Sequence, residues 1–264
     1  MAASSSTAPA SSDAATVIAA GVLAATLAVM CHETLGHGLG CIGIGGHVTL
    51  LTSIWFRCSK WAPITDAGGP IGNLVAGSFA VALFSYTRPG AAGRLLLLLL
   101  GALNLFWFMG QLTFESLTNA HDDWYWALQR QPDIWRPMGA LAGIGGYALV
   151  IGWLSAVIRK QRGVQEHAIR LAYAAAAGSA IIAGLAWPPE PLQSAVQGLL
   201  TLGVAPLGLI GVVRRASREI GCNADTSTVP RSWILICASG VVFGVFLFVQ
   251  ARGWGPMAGS RLSP

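Results

Sequence analysis

The chain has 264 residues, of which 54% are hydrophobic and only 10% charged, with a mean hydropathy of +0.60. So little charge excludes an ordinary water-soluble domain. A net charge of +5 and a pI of about 9.2 do not point to nucleic acid, because basic residues in a membrane protein chiefly set its orientation.

Residues 1–16 are rich in Ala, Ser and Thr, carry one charge, Asp13, and lack the basic start of a signal peptide, so they read as a disordered tail. Apolar runs close to the ~20 residues that cross hydrocarbon follow at 17–39, 67–84, 95–117, 138–158, 169–187, 195–213 and 233–249. The expected fold is therefore an all-α polytopic membrane protein of about seven transmembrane helices, with the lipid bilayer as its solvent. The chain divides into a metal-site core at 17–137 with three helices, four further helices in 138–251, and a C-terminal tail at 252–264.

The second run is short and holds Asn73, and the third holds Asn104, Gln111 and Glu115. Between the first two, Gly45 to Arg57 is led by a glycine pair and rich in β-branched and aromatic residues, which suits a short β-hairpin or re-entrant segment. The helices from Met138 onward have almost no polar residues within their spans and read as scaffold. The small residues from Ala172 to Ala180 suit close helix packing or dimerisation. Trp124, Tyr125, Trp126 and Trp135 fit an interfacial aromatic belt.

The cysteines, Cys31, Cys41, Cys58, Cys222 and Cys237, form no CxxC pair. Cys41 and Cys58 would pair if their loop is extracytoplasmic; isolated thiols are the expectation. Counted by alternate loops, ten Lys and Arg (Arg88, Arg94, Arg159, Lys160, Arg162, Arg170, Arg214, Arg215, Arg218, Arg231) fall on the N-terminal side and six (Arg57, Lys60, Arg130, Arg136, Arg252, Arg261) on the other. The positive-inside rule thus favours a cytoplasmic N-terminus.

Within the first run stands His32-Glu33-Thr34-Leu35-Gly36-His37. A charged side chain at bilayer depth costs on the order of 3 kcal/mol, so it is rarely there without a partner, water or metal. Two imidazoles and a glutamate are also the chemistry of a zinc hydrolase. The spacing is one residue longer than H-E-x-x-H, so in a regular α-helix the two rings would point about 140° apart, at roughly 100° per residue. A π-bulge between His32 and His37 would realign them, and Gly36, Gly38 and Gly40 make this end easy to distort. Without the bulge, Glu33 and His37 share a face instead. The first and third helices end on the side where the second begins, so this cluster, Gly68-Gly69-Pro70-Ile71-Gly72-Asn73 and His121-Asp122-Asp123-Trp124 converge at one depth.

On these three motifs the chain resembles the site-2 protease class of intramembrane zinc metalloproteases, over about residues 17 to 130. The class has a helix-borne His-Glu…His motif, a Gly-Pro-x-x-Asn motif and an aspartate ligand, here matched by His32, Glu33 and His37, by Gly69 to Asn73, and by Asp123. Its usual Asp-Gly is replaced by Asp123-Trp124, and no soluble domain is inserted. The extended HExxGH form also resembles the zinc motif of the dipeptidyl peptidase III family, a soluble group.

The resemblance implies zinc held by His32, His37 and Asp123, a zinc-activated water, Glu33 as general base and Asn73 bonding the substrate backbone. It also implies a transmembrane or membrane-associated protein substrate, a multi-pass place in the bacterial inner membrane, and a strand edge at Thr49 to Trp55 that pairs with unwound substrate. Asp122 and Glu115 are alternative third ligands, and Asn73 is equally suited to capping its helix or contacting a neighbour. His47 and His167 read as loop and surface residues. The reading from another class is a non-proteolytic membrane protein that binds or transports a divalent metal.

Overall fold

Seven helices long and apolar enough to cross a membrane make up the computed structural model, which describes residues 11–86, 90–128, 134–160, 165–220 and 228–260. They are α1 (Ala14–Gly43), α2 (Pro63–Tyr86), α3 (Ala91–Thr118), α5 (Trp135–Arg159), α6 (Glu166–Leu185), α7 (Pro191–Ala216) and α8 (Trp233–Ala251). A short helix α4 (Asp123–Leu128) follows α3, and strands β1 (Val48–Leu51) and β2 (Phe56–Cys58) pair antiparallel between α1 and α2. The membrane-spanning all-α architecture with a small hairpin is thus the observed fold. Residues 1–10 and 261–264 of the expected tails, and Cys222, lie outside the described residues.

Most spans begin a few residues before the apolar runs. Asp13 caps α1, its Oδ1 accepting from the Thr16 amide at 2.9 Å, so residues 14–16 are helical rather than tail. The second helix begins four residues before the expected Ala67, at Pro63, a residue whose fixed φ suits a helix start. α1 is the inner helix, packed on α3, α6 and α8. Ala172, Ala176 and Ala180 of the small-residue run are buried, and Gly21 of α1 approaches the Ala172 backbone so closely that a Cβ would stand 2.0 Å from its carbonyl oxygen. That stripe is therefore spent inside the chain.

Among the described residues three helices contain π turns: Met30–His37 in α1, Leu200–Val204 in α7 and Leu247–Ala251 in α8. The one in α7 runs into a 3₁₀ turn at Ala205–Leu207, and freed backbone groups inside a membrane must find partners. Tyr147 of α5 provides two, donating to Ala205 O and accepting from the Gly208 amide, both at 2.7 Å. Tyr173 of α6 donates to Gly203 O.

α1 and α2 meet backbone to backbone at Gly36, Gly40, Gly68 and Gly72, two small-xxx-small pairs that face each other. A Cβ on Gly36 would lie 2.4 Å from Gly68 O, and one on Gly72 would lie 2.4 Å from Cys31 O. These glycines therefore serve approach between helices as well as distortion within one.

Two expectations about the hairpin are corrected. Cys41 at the end of α1 and Cys58 in β2 form a disulfide across a Cα–Cα distance of 5.8 Å, because the hairpin folds back over the helix end; the pair is not two isolated thiols. Nor do residues 49–55 present an open edge. β1 is paired on its second side by the C-terminal segment: Leu51 and Trp254 exchange amide bonds of 2.9 and 2.8 Å, and the Met257 amide donates to Thr49 O at 3.0 Å. Residues 52–55 are the turn, organised by Thr52 Oγ1, which accepts from the Ile54 and Trp55 amides. The C-terminal tail is thus structured as far as residue 260, with Trp187 Nε1 donating to Ala258 O at 2.9 Å.

The helix contact makes a prediction. Gly36→Ala is expected to cost about 1–3 kcal/mol, as overpacking against a rigid neighbour does, whereas Gly43→Ala, with nothing within 4 Å of its Cβ, is neutral. Thermal unfolding of the two variants in detergent checks this; equal losses would remove the close-approach explanation.

Candidate metal centre

The site is built on the π turn. Over Met30–His37 the helix widens by one residue per turn, which cancels the angular offset between His32 and His37 and turns both rings into one space. Their centroids lie 4.8 Å apart and their Nε2 atoms 3.2 Å apart. The alternative in which Glu33 and His37 share a regular helical face does not occur. Both histidines are buried, at 3% and 4% exposure, and Glu33 at 2%.

Asp123 completes the cluster. Its carboxylate stands 3.0 Å from His32 Nε2 and 3.4 Å from His37 Nε2, and one ligand atom from each of the three residues falls within 4.8 Å of the others. Asp123 opens α4 rather than lying in a solvated loop, and its side chain, 13% exposed, marks the side on which the site opens.

Hydrogen bonds outside the cluster decide which ring nitrogens are free. His37 Nδ1 is 2.7 Å from Thr65 O, a carbonyl that can only accept, so Nδ1 carries the proton and Nε2 keeps its lone pair in the neutral ring. His32 Nδ1 lies 3.0 Å from Asn73 Nδ2, while Asn73 Oδ1 is buried with no hydrogen-bond partner among the described residues. With the amide turned end for end, Nδ1–H would donate to Asn73 Oδ1 and the His32 Nε2 lone pair would be free for a metal. Two lone pairs and a carboxylate then converge on one point.

That arrangement fits a cation. Bonds of ~2.1 Å in a tetrahedral site put ligand atoms about 3.4 Å apart, close to the 3.2 Å between the two nitrogens, with Asp123 Oδ2 3.0 Å from His32 Nε2 and Oδ1 3.4 Å from His37 Nε2. The nitrogen and oxygen donors are those zinc accepts, and three protein ligands are the complement of a catalytic site. Gly69 keeps the space clear: a Cβ there would lie 2.3 Å from His37 Nε2 and 2.6 Å from His32 Nε2.

One stripe of α3 supports the cluster. Trp107, Gln111 and Glu115 succeed one another by one turn on the same face. Trp107 stacks on His32 with ring centroids 4.2 Å apart and planes 12° from parallel. Gln111 Nε2 donates to Asp123 Oδ2 at 2.8 Å. Glu115 Oε2 accepts from the Tyr125 amide at 3.0 Å and so anchors the start of α4. Across the site, Phe56 of β2 stacks on His37, 5.3 Å between centroids. Gln250 of α8 ties the π turn to the hairpin, accepting from Thr34 Oγ1 at 3.0 Å and donating to Thr52 O at 2.9 Å.

The structure therefore brings together His32, His37 and Asp123, with Glu33 in electrostatic range of His37 and Asp123. Asn73 does not cap its helix start; it sits inside α2 and contacts the neighbouring helix at the His32 ring. Glu115 is engaged by α4, and Asp122 is exposed, so neither joins the cluster. Gln111 and Trp107 are functional neighbours that the motifs do not name; their four-residue spacing with Glu115 on an otherwise apolar helix is the signal that marks them. Comparison of the chain with protein-family models, with curated proteins and with solved structures yields no match.

Two substitutions that remove no ligand test the arrangement. Gly69→Ala is expected to abolish metal binding by filling the space between the nitrogens. Gln111→Ala is expected to weaken it by 10–100-fold, as loss of a ligand's outer hydrogen bond does. Competition titration with a metal chelator reads both, and unchanged affinity in the pair would refute the centre as described.

Proposed function

We propose that this multi-pass membrane protein is an intramembrane zinc metalloprotease, and that its membrane is the bacterial inner membrane, as the family resemblance implies. The observation that carries the reading is the pair of Nε2 atoms 3.2 Å apart, each with its other nitrogen occupied, facing the Asp123 carboxylate. Bound there, zinc supplies a Lewis acid that polarises a carbonyl and acidifies a water.

The chain's own residues then have separable tasks. His32, His37 and Asp123 would hold the metal. Thr65 O and Asn73 hold the two imidazoles in the tautomer that ligation needs, and Gln111 holds the carboxylate. Glu33 is buried in the same π turn, and its Oε2 has no hydrogen-bond partner among the described residues. That atom is free to accept a proton from the attacking water and pass it to the leaving amine, the work of a general base and then acid. Trp107 and Phe56 wall the site with apolar rings, which limits water to the side where Asp123 is exposed. A transmembrane substrate has to unwind locally before its backbone reaches these groups.

Metal analysis and one conservative substitution test this. Detergent-purified protein is expected to contain about one zinc per chain, lost in both His37→Ala and Asp123→Ala. Glu33→Gln is expected to keep the metal and lose 10²–10⁴-fold in cleavage of a membrane-protein reporter, the usual range for a general base. Full cleavage by Glu33→Gln would overturn the mechanism. Metal bound without cleavage, with uptake of the ion into proteoliposomes, would replace it by a divalent-metal carrier.

A further inference from the structure

The disulfide and the charge distribution bear on a question the metal site leaves open, which side of the membrane it serves. Cys41 is fully buried at the end of α1, the helix that carries His32 and His37, and its bond to Cys58 secures β2, whose Phe56 lies on the His37 ring. The pair is built into its surroundings: a Cβ on Gly46 would meet Cys58 Sγ at 2.5 Å and Cys41 Sγ at 3.1 Å. Structural disulfides persist in oxidising compartments and are rare where thiols are kept reduced. This end of α1 therefore belongs outside the cytoplasm.

The basic residues give the same answer independently. With seven spans, the loops on the N-terminal side hold ten Lys and Arg and those on the hairpin side six. Such an excess marks the cytoplasmic side. An odd number of spans also puts the C-terminus beside the hairpin, and residues 254–257 do pair with β1.

We infer that the metal centre opens toward the oxidising, extracytoplasmic side of its membrane, with the N-terminus in the cytoplasm, and that it takes membrane-protein substrates at bonds in the outer half of the bilayer. The orientation stands on the disulfide and the charges alone, whereas the substrate class rests on the protease reading. At 1.5 Å per residue, His37 lies about 9 Å from the end of α1 at Gly43, and His32 lies one π turn deeper. A peptide bond that reaches them has therefore to come from the outward end of a spanning helix. The hairpin, held by its disulfide and by the C-terminal segment, lies beside that entrance.

The test separates the two parts. In a background with Cys31, Cys222 and Cys237 replaced by Ser, Arg252→Cys and Arg214→Cys place a reporter thiol at an exposed position on each side. A membrane-impermeant maleimide added to intact cells is expected to label Arg252→Cys and to reach Arg214→Cys only after permeabilisation. In the same background without either reporter, Cys41 and Cys58 are expected to resist alkylation in detergent until reduced, then to take up two adducts. The reverse labelling, or free thiols at 41 and 58 in folded protein, overturns the orientation. Mass spectrometry of a cleaved reporter is expected to place the cut in its outward half, and a cut in the cytoplasmic half overturns the substrate assignment. Correct labelling with no Glu33-dependent cleavage leaves the orientation standing and removes the protease reading on which the substrate class rests.

Discussion

The structure depends on one local distortion, the π turn from Met30 to His37, because it is what puts two histidines five residues apart on one face of a helix. A regular helix would separate their rings by more than a quarter turn, and no motion of Asp123 could then bring the three donors together. The turn survives because its surroundings need it. Gly36 lies against Gly68, Gly72 lies against Cys31 O, and Thr65 O and Asn73 take up the two imidazoles, all from the same stretch of α2. The glycine contact and the hydrogen bonds are made by one pair of helices, so α2 reads the widened geometry of α1 and stabilises it.

The rest of the site follows from that pairing. α3 presents Trp107, Gln111 and Glu115 on one stripe, and each meets a different part of the centre: a ring, a carboxylate and the start of the helix that carries the carboxylate. On the other side the hairpin brings Phe56 onto His37, with the disulfide and the C-terminal segment securing both of its strands. Helices α5 to α8 contribute mostly apolar packing, with Gln250 of α8 as the exception that reaches the π turn through Thr34. The polar groups are concentrated around the histidine and aspartate cluster, and the low charge elsewhere is what lets the remaining helices face lipid.

The hairpin shows how a motif-level expectation fails for a physical reason. A β-rich segment beside the site suggests an open edge, but an edge strand is open only if nothing else in the chain reaches it. Trp254 and Met257 reach it here, from the far end of the sequence. The same segment accounts for the cysteine pair: seventeen residues apart in sequence, Cys41 and Cys58 meet because the hairpin doubles back over α1.

What the sequence by itself determined is the class of the fold and the identity of the donors. Apolar runs of spanning length leave helices as the economical answer in lipid, since every backbone group must be satisfied within the segment, and buried histidines with an acid in such a run demand a partner. The parity of the spans also places the His32, Gly69 and Asp123 motifs on one side without further information. The tertiary structure alone decided the partners of the two imidazoles, the choice of Asp123 over Asp122 and Glu115, the disulfide and the covered strand edge. Each of those depends on contacts between residues distant in the chain, such as Thr65 with His37 and Gln111 with Asp123, and no local periodicity encodes which of several nearby carboxylates or carbonyls a folded chain will bring within 3 Å.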